Sequence, residues 1–148
     1  MPTSVAEHGT EQYVGNLGNF PIDRGSSRVV ALSNLPDHLL APGFSAEGWR
    51  VIDSRAGFTT VLGVAFGPDG LLYVLELSDQ AGFPGLGQGK VVRLEPSGAI
   101  ETVVSGLNVP GGMTFGPDSN LYVSDFSAVP APTLGVGRIL KFAVQPAN

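Results

Sequence analysis

Three polar residues recur at one position of a repeated pattern. Asn16, Glu76 and Asp125 each close a short apolar run that contains Tyr-Val, at Tyr13-Val14, Tyr73-Val74 and Tyr122-Val123. A cation opens the next apolar run each time: Arg28, Lys90 and Arg138. If those runs are neighbouring antiparallel strands, each polar residue meets its cation beside the connecting loop. Such a pair has two readings. One is a cross-strand tie that holds the loop ends, worth up to about 1 kcal/mol. The other is a ring of polar groups facing a ligand or cation. Glu76 and Asp125 share a strand face with Val74 and Val123, so on either reading they point between layers rather than into water. The connecting segments carry a second motif, Asn19-Phe20-Pro21, Gly82-Phe83-Pro84 and Ala128-Val129-Pro130. Phe20 and Phe83 either plug the end of the packed layer or line a ligand site, since long loops on rigid scaffolds commonly carry function.

Other chemical templates find no support, and no catalytic or metal-ligating residue is assigned. Only His8 and His38 are histidines. Both are expected on the tight-turn side, away from the long loops, which opposes a Ser–His–Asp arrangement and a histidine metal site. Cysteine is absent, removing disulfides, thiolate catalysis and Cys-type zinc sites. Gly85-Leu86-Gly87-Gln88-Gly89 is glycine-rich, but no helix follows to complete a phosphate cradle. No cofactor is expected. The net charge is −5 without a Lys/Arg cluster, so nucleic acid is not an expected partner. No apolar run approaches the roughly 18–20 residues of a membrane span. Met1 to His8 has neither the basic nor the apolar region of a signal peptide.

The elements that must position these residues follow from an internal repeat. Val64-Ala65-Phe66-Gly67-Pro68-Asp69-Gly70-Leu71-Leu72-Tyr73-Val74 returns 49 positions later as Met113 to Val123. Charged residues are 14% of the chain, against 21 glycines and 12 prolines, which favours an all-β fold rich in turns. Each unit reads as four short β-rich runs. In the second unit these are Val61–Phe66, Leu71–Leu77, Lys90–Leu94 and Ile100–Val104, with tight turns at Gly67–Gly70 and Glu95–Gly98. The first unit has a shortened first turn, Glu7-His8-Gly9-Thr10, and an insertion, Asn34 to Gly48, before a fourth run at Trp49–Ile52. Four-stranded units of this period fit propeller blades. The expected fold is therefore a partial β-propeller of three blades, about 1–56, 57–105 and 106–148, the last lacking its outer strand. Tight turns gather on one face. The long loops Gly18–Ser27, Ser78–Gly89 and Ser127–Gly137 gather on the other. Three blades cannot close a ring, so self-association or further N-terminal blades are expected to complete it.

These residues resemble the ScyD/ScyE family, bacterial propeller proteins named after products of the scytonemin gene cluster. The resemblance rests on Pro2 to Ala6, Tyr13-Val14-Gly15-Asn16-Leu17 with Asn19-Phe20-Pro21, Gly57-Phe58-Thr59-Thr60, and Ala65 to Gly70 with Leu72 to Glu76. The Phe-Gly-Pro-Asp-Gly unit is also shared with NHL-repeat and lactonase-type propellers. The resemblance implies a six-bladed propeller about twice this length, exported to the periplasm or cell exterior and without an established activity. The chain would then be its C-terminal half. Asn16 departs from the Glu common in the family at that position, as Thr60 and Gly63 depart from Asn and Asp. The residues point to a non-catalytic scaffold that binds a small molecule or protein on the long-loop face through Asn16, Phe20, Glu76, Phe83 and Asp125. The competing reading is a metal-dependent lactonase of the SMP-30/gluconolactonase-like class. It would need ligands at the inner ends of the first strands, where Thr3-Ser4, Leu62-Gly63 and Gly111-Gly112 stand.

Overall fold

A computed structural model describes residues 1–34, 49–127 and 137–145. The described residues form eleven strands and no helix. The first sheet is β1 (Pro2–His8), β2 (Glu11–Asn16), β3 (Ser27–Asn34) and β4 (Trp49–Phe58). The second is β5 (Val61–Phe66), β6 (Leu72–Glu76), β7 (Gly89–Leu94) and β8 (Ile100–Leu107). The third has three strands, β9 (Gly112–Phe115), β10 (Leu121–Asp125) and β11 (Arg138–Phe142). Every neighbouring pair is antiparallel and sequential. The fold is all-β and has the form of a partial β-propeller. Most of the insertion, with His38, and the Ala128-Val129-Pro130 motif lie outside the described residues.

The repeated turn is a compact device. Gly67 N donates to Leu71 O and Gly70 N to Gly67 O, both at 2.9 Å. Gly70 takes φ 74°, as the turn requires. Asp69 accepts from Leu71 N at 3.1 Å through one oxygen and from the Tyr73 hydroxyl at 2.9 Å through the other. The third sheet repeats this, with Tyr122 donating to Asp118 at 2.9 Å. A Cβ on Gly67 would stand 2.5 Å from the Tyr73 ring, and one on Gly116 2.6 Å from the Tyr122 ring. The spacing from Gly through Asp to Tyr is therefore set by one ring folding back over its own turn. In the first sheet, where that turn is shortened, Tyr13 donates instead to Glu11 at 2.9 Å.

Sheet stacking decides which residues are core. All five residues of β6 are buried, because the middle sheet has a neighbour on each face. In β10 full burial falls only on alternate residues, Leu121, Val123 and Asp125. Val29, Phe58, Val61, Val64, Leu72, Val74 and Val92 form the core between the first and second sheets. Tyr73, Leu75, Val91, Val104, Leu107, Leu121 and Val123 form the core between the second and third. Each junction is pinned by an edge-to-face aromatic pair, Tyr13–Phe66 at 4.9 Å and Tyr73–Phe115 at 4.8 Å. Such a pair is worth about 0.5–1.5 kcal/mol beyond its buried area. On the outer faces Val5 and Ile139 are exposed. The outer strands run further than the sequence pattern indicated, to Phe58 and Leu107, since both end residues are buried in the next junction.

Replacing Gly67 by Ala should cost about 1–3 kcal/mol, the range for forcing a methyl into packed space. Urea unfolding measures this, and an unchanged midpoint would show that the Tyr73 ring can move aside.

Candidate functional site

The three polar positions lie in one register. Asn16 pairs with Arg28, Glu76 with Lys90 and Asp125 with Arg138 across adjacent strands. The side-chain geometry shows what two of them hold. Lys90 Nζ lies 3.1 Å from Glu76 Oε2, while the other oxygen, Oε1, accepts from the backbone N–H of Thr59. Asp125 accepts from Asn108 N at 2.6 Å, and from Arg138 Nε and Nη2 at 3.0 and 2.8 Å. Both carboxylates are 1% exposed. Thr59 follows β4 and Asn108 follows β8, so each carboxylate grips the crossover that enters its own sheet. Backbone bonds reinforce the grip: Leu77 N donates to Thr60 O at 2.9 Å, and Phe126 N to Asn108 O at 2.8 Å. Leu17 N donates to Met1 O at 2.8 Å in the first sheet, where Asn16 is only half-buried.

Burial works to raise the Asp125 pKa. The Asn108 amide and the Arg138 guanidinium outweigh it and hold the carboxyl below its ordinary value. A buried anion with this many donors is a structural clasp. Among the described residues, no group of three or more acidic, His or Cys side chains is arranged to hold a metal.

The long-loop face is organised separately. Ile22 N donates to Gly82 O at 2.8 Å and Gly82 N to Ile22 O at 2.9 Å, a two-bond bridge between the loops of the first and second sheets. Arg24 adds a bond to Gln80. The bridge places Phe20 and Phe83 edge to face, with centroids 5.4 Å apart and ring planes at 83°. They are 59% and 70% exposed, and Leu86 is exposed as well. The rings therefore do not plug the layer ends; Ile22, at 2% exposure, is buried there. Glu76 and Asp125 sit inside the junctions and the two rings stand outside, so the structure does not gather the five residues into one pocket. His8 stacks on Phe66 at 4.2 Å at the turn end of β1. At the inner strand ends, Thr3 Oγ1 donates to Val61 O at 2.8 Å and Ser4 Oγ accepts from Val64 N at 3.1 Å, joining two sheets.

One buried charged group escaped the sequence pattern. Arg93 is 4% exposed and bonds Glu95 at 2.6 Å, Glu101 at 2.7 Å and the Gln145 carbonyl at 2.7 Å. Its pKa is raised by the Tyr73 hydroxyl and the two glutamates, against the cost of burial. Burial is the main reason Tyr73 is pushed up to about 12. The available signal was register: Arg93 and Lys141 both stand opposite the repeated tyrosine.

Stacked antiparallel sheets joined by such crossovers define a β-propeller, of which this chain forms part. No family model matches the chain, and no curated protein matches it. Solved structures do. One, from Thermus thermophilus, is described as a provisional oxidoreductase (glucose dehydrogenase). It is 21% identical, with a TM-score of 0.53, over 95% of this chain and 43% of that one. Another, described as a provisional gluconolactonase, is 21% identical with a TM-score of 0.49, over 90% of this chain and 45% of that one. The likeness to the Thermus protein is one of fold. The chain spans less than half the length of either structure.

Asp125→Ala should destabilise the protein by about 2–4 kcal/mol, since it strips charge-assisted bonds from a buried crossover amide. The pH dependence has a definite sign. A lowered folded-state pKa stabilises above the unfolded value of about 4, and that stability is lost as pH falls through the folded value. Asp125→Asn should therefore flatten the acid limb of a stability–pH curve taken by urea denaturation. An acid limb identical to that of the unmodified protein would contradict the assignment.

Proposed function

We propose that this chain is a non-catalytic binding module of ScyD/ScyE-like type, exported to the periplasm or beyond, which recognises a small molecule or protein on its long-loop face. The exposed, bridged pair Phe20 and Phe83 carries this reading. Two aromatic rings held out to solvent by a rigid backbone bridge form a preorganised apolar platform, which lowers the entropy cost of engaging a ligand. One of the segments that bear the family resemblance, Tyr13 to Pro21, also supplies one of the rings. Glu76 and Asp125 support the platform from below by fixing the crossovers beneath the loops.

A metal-dependent hydrolase of gluconolactonase-like class is the alternative, and its ligands would stand at the inner ends of the first strands, where the chain has Thr3-Ser4, Leu62-Gly63 and Gly111-Gly112. The buried carboxylates of Glu76 and Asp125 are already committed, to Thr59 and Lys90 and to Asn108 and Arg138. Recruiting them to a cation would release the crossovers. Tight stoichiometric calcium or zinc binding in calorimetry would replace the binding reading with this one. No helix is long and apolar enough to cross a membrane among the described residues.

The direct test screens a panel of aromatic small molecules by ligand-observed NMR, comparing the unmodified chain with Phe20→Ala/Phe83→Ala. Binders of the unmodified chain should weaken at least tenfold, equivalent to about 1.4 kcal/mol. Undiminished binding by the double variant would remove the loop face as the site.

A further inference from the structure

The position opposite the repeated tyrosine differs among the three sheets. It is Arg93 opposite Tyr73, Lys141 opposite Tyr122, and Ala31 opposite Tyr13. In the second and third sheets the cation lies over the tyrosine ring, at 5.9 Å for Arg93 and 5.6 Å for Lys141. It also meets the carboxylate that takes the tyrosine hydroxyl, Asp69 at 3.6 Å or Asp118 at 2.7 Å. The first sheet keeps the tyrosine and its acid partner, Glu11, and lacks the cation. Its outer strand also keeps an acid in register: Asp53 stands opposite Ala31 as Glu101 stands opposite Arg93.

The Tyr13 ring, which has no cation in register opposite it, borders a cleft. A cleft of about 350 Å³ opens between the first and second sheets on the tight-turn side, lined by Tyr13, Asp53, Arg55, Phe66 and Glu95 among others. Its walls are those of the Arg93 site: a tyrosine ring, a phenylalanine from the next sheet and carboxylates at the rim. Arg55 pairs with Asp53 at 2.7 Å from the rim and is half exposed, and Glu95 is shared with Arg93. Among the described residues, no cation sits over the Tyr13 ring. Among the lining residues, Asp53 and Glu95 outnumber Arg55.

We propose that this cleft binds a compact organic cation, a guanidinium or ammonium group such as an arginine side chain of a peptide, seated over Tyr13 as Arg93 is seated over Tyr73. Aromatic face and carboxylate rim are the pairing that recognises such cations. This site lies on the face opposite Phe20 and Phe83 and stands independently of the loop-face reading.

N-acetyl-arginine amide is the probe, titrated into the full chain while the Tyr13 and Phe66 ring resonances are followed by NMR, with Tyr122 as internal reference. Saturable shifts confined to Tyr13 and Phe66 are expected, and the neutral citrulline analogue should bind at least tenfold more weakly. Ala31→Arg supplies the cation within the chain and should abolish probe binding. Asp53→Asn, at a partly exposed position, should weaken it three- to tenfold, with its urea midpoint checked in parallel. Equal binding of the two probes, no saturable shift at Tyr13, or full binding by a folded Ala31→Arg would each overturn the proposal. If Ala31→Arg fails to fold, the Asp53→Asn and citrulline comparisons decide it alone.

Discussion

A carboxylate buried between sheets, reaching back to the amide of an incoming crossover, is the constraint on which the rest of this molecule rests. Glu76 holds Thr59 and Asp125 holds Asn108. A buried anion is costly to desolvate, and it is tolerated here because every contact it makes is with a donor. The crossover amide gains equally, since a buried N–H without an acceptor is also costly. The same contact fixes where the innermost strand begins in the second and third sheets. That start sets the register of the strands beside it and the height at which the long loops leave. The bridge from Ile22 to Gly82, and with it the placing of Phe20 against Phe83, depends on two neighbouring sheets keeping one relative height.

The repeat is informative through both its agreements and its departures. Where copies agree, the residues hold sheets together: the turn aspartate under its tyrosine, the tyrosine against the next phenylalanine, the acid on the crossover. These positions meet equivalent neighbours at both junctions, so one solution serves wherever it recurs. Where copies differ, the molecule leaves surface unclaimed. Ala31 stands opposite Tyr13 where the other sheets carry a cation, and the Tyr13 ring borders a cleft lined by the kinds of group that elsewhere enclose a guanidinium. Asn16, uncharged and half-buried, stands where two carboxylates do their work.

Much of this architecture was legible before any coordinates. The apolar run Leu72 to Leu75 closed by Glu76, the Pro-Asp-Gly turn and the paired polar ends of strands are local signals, and local sterics enforce them. The expected strands and their order follow the structure closely. The outer strands were the least legible, because β4 and β8 carry their last residues into the next junction. There, burial by a neighbouring sheet outweighs the run's own pattern. Arg93 was missed for a related reason. A charged residue in an apolar run reads as a solvent-facing position until its acids, which come from a turn, the next strand and a following segment, are seen to converge.

The amino-acid sequence alone determined the repeat, the strand order, the tight turns, the segregation of short and long connections to opposite faces, and the equivalence of Asn16, Glu76 and Asp125. Each depends on residues close together in the chain or on comparison between copies. Tertiary structure decided what those residues touch. Only packing of one sheet on another directs Glu76 and Asp125 onto crossover amides, exposes Phe20 and Phe83 while burying Ile22, and leaves a cleft bordered by Tyr13 and Phe66. These outcomes depend on contacts between separate sheets, whose distances and exposures are not encoded in any single run of residues.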